Sequence, residues 1–377
     1  MNYNIPTKQI LLFCLFFAVA CSEPEKPVTK EEAAKVATAI TRAIARQDAD
    51  RFNDLLDIDA IENRIRDQAG SKASRQLIGG ATKTLRSGDY GKEIVRTVGN
   101  KGTYELVKQY EKDKHQHLIF RLYNDQLNYH DYELIKKRDQ VKIADIFVYT
   151  TGENISTTLA ETIRFADEHE AAANLPENTL ANVQLMKKNI HEGNYETADS
   201  IFKSLPAVIR QQKVYKIIYI HIASELGNDR YLAALNKLQQ EYPDAPNMYL
   251  LMIDAYLLKK DFDAAQKCVN RLDSFINKDP FLDYYRALIC KQNMDNVNRM
   301  TYLERLHRNL PRFEIGTAEL LFAYVEDEKW DKAVPLTLEY QKSKKADKEF
   351  LETLYLFYPN FKKKVDAAMK GQGQPSH

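Results

Sequence analysis

The sequence predicts an α+β N-terminal domain, helices first and then a four-stranded antiparallel meander, followed by an all-α solenoid of helical hairpins. Three observations carry this. Apolar residues recur at helical spacing from Ala34 to about Val98, alternate at period 2 from Thr103 to Thr150, and return to helical spacing after about residue 165. An aromatic residue followed by a small one then repeats through the C-terminal half at a nearly constant interval. Finally, 13 Gly and 12 Pro in 377 residues are too few for collagen-like, low-complexity or Gly-rich β architectures.

Residues 1–20 read as an export signal. Lys8 supplies the cationic start, and an unbroken apolar run from Ile10 to Ala20 follows, too short for a spanning helix. Ala18-Val19-Ala20-Cys21 resembles the lipobox of bacterial lipoproteins, which implies acylation of Cys21 as the mature N-terminus. Ser22 after the cysteine resembles the outer-membrane-sorted class of that family. The resemblance implies a lipid-anchored protein of the bacterial cell envelope, at the outer membrane and facing the periplasm, with surface exposure left open. Residues 21–28 are then a short Pro-bearing tether. Of 54 Lys+Arg and 53 Asp+Glu, only Lys8 leaves with the signal, so the mature chain is formally neutral. Such a balance gives nucleic acid no field to follow, and attachment to the membrane rests on acyl chains, not on a basic patch.

The α+β unit spans 29–160. Thr29-Lys30-Glu31-Glu32 is a capping box that opens a helix carrying Ala34, Val36, Ala37, Ile40, Ala43 and Ile44. After the break at Gln47–Asp50, Phe52, Leu55, Leu56, Ile58 and Ile61 resume the helical pattern. A mixed stretch, Ser71–Val98, follows, with Gly79-Gly80 as its weak point. Thr103–Lys112, His115–Tyr123, Leu127–Lys136 and Val141–Thr150 read as consecutive strands separated by polar turns. The cadence Ile40–Asp57 ahead of a meander resembles the cystatin-like cone of the ketosteroid-isomerase-like superfamily, a likeness that bears on fold alone.

Alternation places Leu118, Phe120, Leu122, Tyr132, Leu134, Ala144, Ile146 and Val148 on one face of the sheet, toward the helices. Ile119, Arg121, Tyr129, Asp131, Glu133, Asp145, Phe147 and Tyr149 take the other. If the hairpins keep that register, Asp131 and Asp145 lie nearly opposite, with Arg121 one strand away. Two readings are open. The carboxylates raise one another's pKa and, beside Tyr129, do acid–base chemistry; or they form an ion-pair cluster that holds register and docks the second domain. His115 and His117 share one side of a strand, but no third ligand is fixed nearby, so no metal site is expected.

The all-α part spans 165–370. Gly193-Asn194-Tyr195-Glu196-Thr197-Ala198 with Phe202, and Asp261-Phe262-Asp263-Ala264-Ala265 with Val269, share an aromatic, a buried-type Ala and a bulky residue. Trp330 and Ala333 repeat the first two. Ala265 and Ala333 stand two periods of about 34 residues apart, and this pattern resembles the tetratricopeptide repeat. The frame gives five degenerate repeats at about 179–212, 213–245, 246–279, 280–313 and 314–347, a capping segment Leu351–Lys370 and a disordered tail 371–377. In that frame the first helices of successive repeats line a groove with Asn247, Leu250, Asp254, Leu257 and Leu258, then Phe281, Tyr284, Leu288, Lys291 and Gln292, then Ile315, Phe322, Val325 and Glu326. A peptide-binding groove and burial within the molecule are both open.

Cys268 and Cys290 either pair in an oxidising compartment or stand as buried thiols. No P-loop, dinucleotide fingerprint, nucleophile elbow, Cys-x-x-Cys or zincin motif occurs, so no cofactor is expected. The sequence reading is a lipid-anchored envelope scaffold that binds a protein or peptide through Leu250, Asp254, Leu257, Tyr284, Leu288 and Phe322. The alternatives are a small-molecule-binding or catalytic cone in 29–160, with the repeats as support, and a homo-oligomer assembled through the repeats.

Overall fold

The computed structural model describes residues 27–70, 75–100, 102–124, 126–168, 176, 178–243, 247–343 and 346–372. The signal segment, Cys21 and residues 373–377 lie outside them. Six helices come first: α1 (Lys30–Ala45), α2 (Ala49–Asn53), α3 (Ile58–Ala69), α4 (Arg75–Ala81), α5 (Lys83–Arg86) and α6 (Asp89–Val98). The capping box forms: Glu32 N donates to Thr29 Oγ1 at 3.2 Å, and Thr29 N donates to Glu32 Oε2 at 3.0 Å. The mixed stretch expected as one helix is three short ones, because Gly88 turns the chain with φ +74 before α6.

The antiparallel sheet has the order β1 (Thr103–Lys112), β2 (His115–Asn124), β3 (Gln126–Lys137), β4 (Gln140–Val148) and β5 (Glu153–Asn154). The expected four strands are present, and β5 adds a short fifth. Two of the hairpins turn on residue pairs in the left-handed region, Asp113-Lys114 (φ 49, 69) and Arg138-Asp139 (φ 49, 65). That conformation matches the twist of the flanking strands. Two bulges interrupt the ladders, between Leu106 and Lys108 in β1 and between Ile143 and Asp145 in β4.

The sheet is a middle layer. Its first face packs Leu118, Phe120, Tyr132, Leu134 and Ile146 against Ile40, Ile44 and Phe52. Tyr132 meets the rings of Phe52 (6.2 Å) and Phe120 (5.7 Å) edge-on, so aromatic side chains occupy the layer between sheet and helices. Ile61, Ile65, Ile78 and Leu85 form a satellite cluster with Ala160 and Ile163 of α7 (Ile155–Glu168).

The C-terminal region is helical and built of consecutive pairs: α8 (Thr179–His191) with α9 (Tyr195–Ser204), followed by the short α10 (Ala207–Arg210); α11 (Lys213–Leu226) with α12 (Asn228–Glu241); and α13 (Asn247–Leu258) with α14 (Phe262–Phe275). Then come α15 (Leu282–Gln292) with α16 (Asn296–Asn309), α17 (Glu314–Glu326) with α18 (Trp330–Tyr340), and α19 (Lys348–Phe357) with α20 (Pro359–Gln372). The expected single capping segment is a sixth pair, broken at Tyr358 (φ −124, ψ 70), where the following Pro359 disfavours the helical conformation. Gly371 and Gln372, expected in the tail, are the last residues of α20. Ala198, Ala265 and Ala333 are fully buried on the second helices of their pairs, each within an apolar cluster.

The second face of the sheet docks on the edge of this array where one helical pair connects to the next. Ile119, Tyr123, Leu127, Tyr129 and Tyr149 share one buried cluster with Leu250, Leu257, Leu272, Ile276, Phe281 and Tyr285. Gly152 is required here twice over. Its φ is +70, and a Cβ would stand 2.8 Å from Asn247 Oδ1.

Candidate functional site

The polar residues of the second face were expected as one cluster and are found as three. The β4 bulge decides this. Asp145 pairs with Glu133 and Asp131 with Phe147, so Asp131 and Asp145 are not opposite one another. The expected register is therefore corrected, and the trio Asp131, Asp145 and Arg121 does not converge.

Arg121 leads the first group. Its Nη1 donates to both oxygens of Asp279, at 2.7 and 2.8 Å, and its Nη2 to Glu105. Asp279 also accepts Tyr129 Oη at 2.9 Å and Phe281 N at 3.0 Å. Arg121 stacks over the Phe281 ring, 4.5 Å from its centroid. Burial would lower the guanidinium pKa, but Asp279 outweighs it and holds the group above its ordinary value. Tyr129, fully buried, is pushed well above the phenol range by burial and by the Asp279 charge. These groups join the sheet to the α14–α15 link.

Asp145 belongs to the second group. It accepts Ser156 Oγ and, at 3.3 Å, Ser156 N, so it holds the first turn of α7; Arg64 reaches it at 3.4 Å. Burial raises its pKa against these hydrogen bonds.

The third group lines an open cleft of about 690 Å³ between the sheet and the end of α14. Asp131 accepts Tyr110 Oη and, at 3.1 Å, His117 Nδ1. Glu133 accepts His115 Nδ1 and two bonds from Arg64, at 2.6 and 2.7 Å. Burial would raise the Glu133 carboxyl, but Arg64 and His115 hold it at about 2. Desolvation pushes Tyr110 and Tyr149 far above the phenol range. Phe147, Tyr149 and Phe275 form an aromatic wall with centroids 5.1 to 6.3 Å apart. Asn154, Ser274 and Asn277 complete the lining.

His115, His117, Glu133 and Tyr110 are what sequence reasoning missed as a group. No sequence signal pointed to Tyr110. Tyr104 and Leu106 share a parity that places both toward the helices, and only a bulge near Val107 turns Tyr110 to the other face. Among the described residues, no group of three or more His, Cys, Asp or Glu side chains is placed to hold a metal ion.

A further polar chain runs between the sheet and the helices. Asn128 Oδ1 accepts Tyr129 N (2.8 Å) and Thr150 N (3.1 Å), which fixes the amide so that Nδ2 donates to His130 Nε2 at 3.2 Å. His130 Nδ1–H must then donate to Tyr104 Oη at 2.8 Å, and Tyr104 donates on to Tyr132 Oη. Burial keeps His130 neutral, with its pKa lowered to about 4.

The groove residues divide. Leu250 and Leu257, each 8% exposed, are buried in the cluster that includes the sheet. Asn247 and Phe281, expected in the groove, instead meet the sheet: Asn247 Nδ2 donates to Thr150 O at 3.1 Å, and Phe281 lies 4.9 Å from Tyr123. Val325 is fully buried. Tyr284, Leu288 and Phe322 are half-buried, while Asp254 is exposed. Lys291 and Arg299 lie over Phe322, 5.3 and 5.7 Å from its centroid. Arg299 occupies the repeat position where Ala is expected and reaches Glu326 at 2.7 Å. Cys268 and Cys290 stand as free thiols in this structure, and burial pushes Cys268 up to about 11. No protein-family model, curated protein or solved structure matches this chain.

Proposed function

We propose that the protein is a lipid-anchored envelope scaffold, held at the outer membrane through acylated Cys21, whose tetratricopeptide-like helical pairs bind an amphipathic helix of a protein partner. One observation carries the reading. Along the first helices of successive pairs, Leu258 and Ile315 are each 43% exposed and Leu288 and Phe322 half-buried, while Leu250, Leu257 and Val325 beside them are buried and Tyr284, expected in the groove, packs on Tyr123 of the sheet at 6.2 Å. An apolar stripe of this kind suits the i, i+3, i+4 anchors of an amphipathic helix, and the exposed Asp254 at its side suits a cation on the incoming helix.

The sheet covers Leu250, Leu257 and Phe281, and Leu258, Leu288, Ile315 and Phe322 stay partly exposed for the partner. A photo-crosslinker at Leu288, activated in intact envelopes, is expected to capture one reproducible partner, and Phe322→Ala with Ile315→Asp to abolish capture. Cys21→Ala is expected to move the protein from the membrane to the soluble fraction and to end palmitate labelling. Absence of a reproducible cross-link, or capture that survives both groove substitutions, would refute the partner. Membrane retention of C21A would refute the anchor.

A further inference from the structure

We infer that the cleft between the sheet and the end of α14 is a binding site for a neutral saccharide. The charges there are already answered. Glu133 is taken by Arg64 and His115, and Asp131 by Tyr110 and His117. Lys112 and Asp113 stand together on the exposed hairpin tip at the rim. Below that rim, where Lys112 and Asp113 add one charge of each sign, the carboxylates of the cleft already have their partners, so the interior favours neither an organic cation nor an anion.

What the lining presents is an aromatic wall beside neutral hydrogen-bonding groups. Phe275 is 46% exposed and packs against Tyr149 (5.6 Å) and Phe147 (6.3 Å), a platform on which the apolar face of a pyranose ring can lie. A carboxylate can only accept, so each histidine donates from Nδ1 and leaves Nε2 to hydrogen-bond a ligand hydroxyl. Asn154 and Asn277 add amides that both donate and accept, and Ser274 Oγ, donating to Asn270 O at 3.0 Å, keeps its acceptor side. Asn277 and Lys278 are consecutive non-glycine residues in the left-handed region, φ 63 and 79, and this turn places Asn277 on the cleft. The cleft volume of about 690 Å³ is in the range of small-molecule sites.

The site is separate from the helix-binding stripe, so the two readings fail separately. The test uses the full chain in a detergent without a sugar headgroup. Cellobiose, maltose, lactose and N,N′-diacetylchitobiose are titrated by calorimetry and saturation-transfer NMR, with choline and inorganic phosphate alongside. At least one disaccharide is expected to bind with one-to-one stoichiometry at millimolar concentration or below. Phe275→Ala and His115→Ala, both at partly exposed positions, are each expected to weaken it roughly tenfold. Val297→Ala, on the exposed side of α16, leaves it unchanged. Binding of none of the four sugars overturns the inference, as does sugar binding indifferent to both F275A and H115A. Choline or phosphate taking the cleft in place of sugar overturns it too.

Discussion

Replacing Arg121 by Met tests whether the sheet and the helical array are locked by one buried pair. The side chains of Arg121 and Asp279 are 4% and 1% exposed, so neither charge can turn to water when its partner is lost. Without Arg121, Asp279 loses two charge-assisted bonds and keeps only the neutral donors Tyr129 Oη and Phe281 N. An uncompensated buried carboxylate costs about 3–5 kcal/mol, a large part of a domain's total stability. Glu105 is the internal control. It bonds the same guanidinium, but its side chain is 50% exposed, so Glu105→Gln costs roughly 0–1 kcal/mol. Urea unfolding followed by circular dichroism gives each value, and the double variant R121M/D279L closes a cycle. Removing both charges together is expected to cost well under the sum of the single losses, because no charge is then stranded. A loss under about 1 kcal/mol for R121M, or single losses that simply add, would refute the lock.

Three further outcomes follow from the titrating groups. His130 is held at about 4, below the ordinary 6.5, so between those values the unfolded chain binds a proton that the folded chain refuses. Stability is full above 6.5 and falls by up to about 3 kcal/mol toward pH 4, a limb that His130→Gln removes from urea midpoints. Glu133 is held at about 2 against 4.5, so its contribution is present above 4.5 and lost as pH falls toward 2; Glu133→Gln flattens that lower limb in the same measurement. Cys268, with its thiol raised from 9.0 to about 11, is expected to alkylate with iodoacetamide about 100-fold more slowly in the folded chain than after urea denaturation.

The strands were legible to within a residue or two because each run alternates cleanly and ends in polar pairs such as Asp113-Lys114 and Arg138-Asp139. The helical pairs were legible because Ala198, Ala265 and Ala333 mark buried positions on the second helices of three pairs. Register was not. Val141 and Ile143 face the helices on odd numbers, while Ile146 and Val148 do so on even numbers, and that change of phase is the bulge. Period-2 reasoning applied to the whole strand averages over the change and brings Asp131 to Asp145. The histidines were missed for another reason. Their partners Glu133 and Asp131 lie on the neighbouring strand, so the pairs exist only once β2 and β3 are aligned.

The second face of the sheet shows why counting charges in the sequence misleads about chemistry. A solvated face would carry short polar residues, yet this one alternates Arg121, Asp131, Glu133 and Asp145 with Ile119, Tyr123, Tyr129, Phe147 and Tyr149. Large amphipathic side chains on a sheet face are an interface pattern, since each buries a broad apolar body and still needs a partner for its polar tip. The partners then sort by burial. Where the array covers the sheet, Arg121 must find a full counter-charge and finds Asp279; toward α3 and α7, Asp145 is covered and takes Arg64 and Ser156. Along the cleft that cover is incomplete, and there Glu133 takes Arg64 and His115 while Asp131 takes Tyr110 and His117. A docking surface alone would gain nothing from leaving that strip open beside an exposed Phe275, and it is this strip, not the carboxylate trio of the expected register, on which a ligand can act.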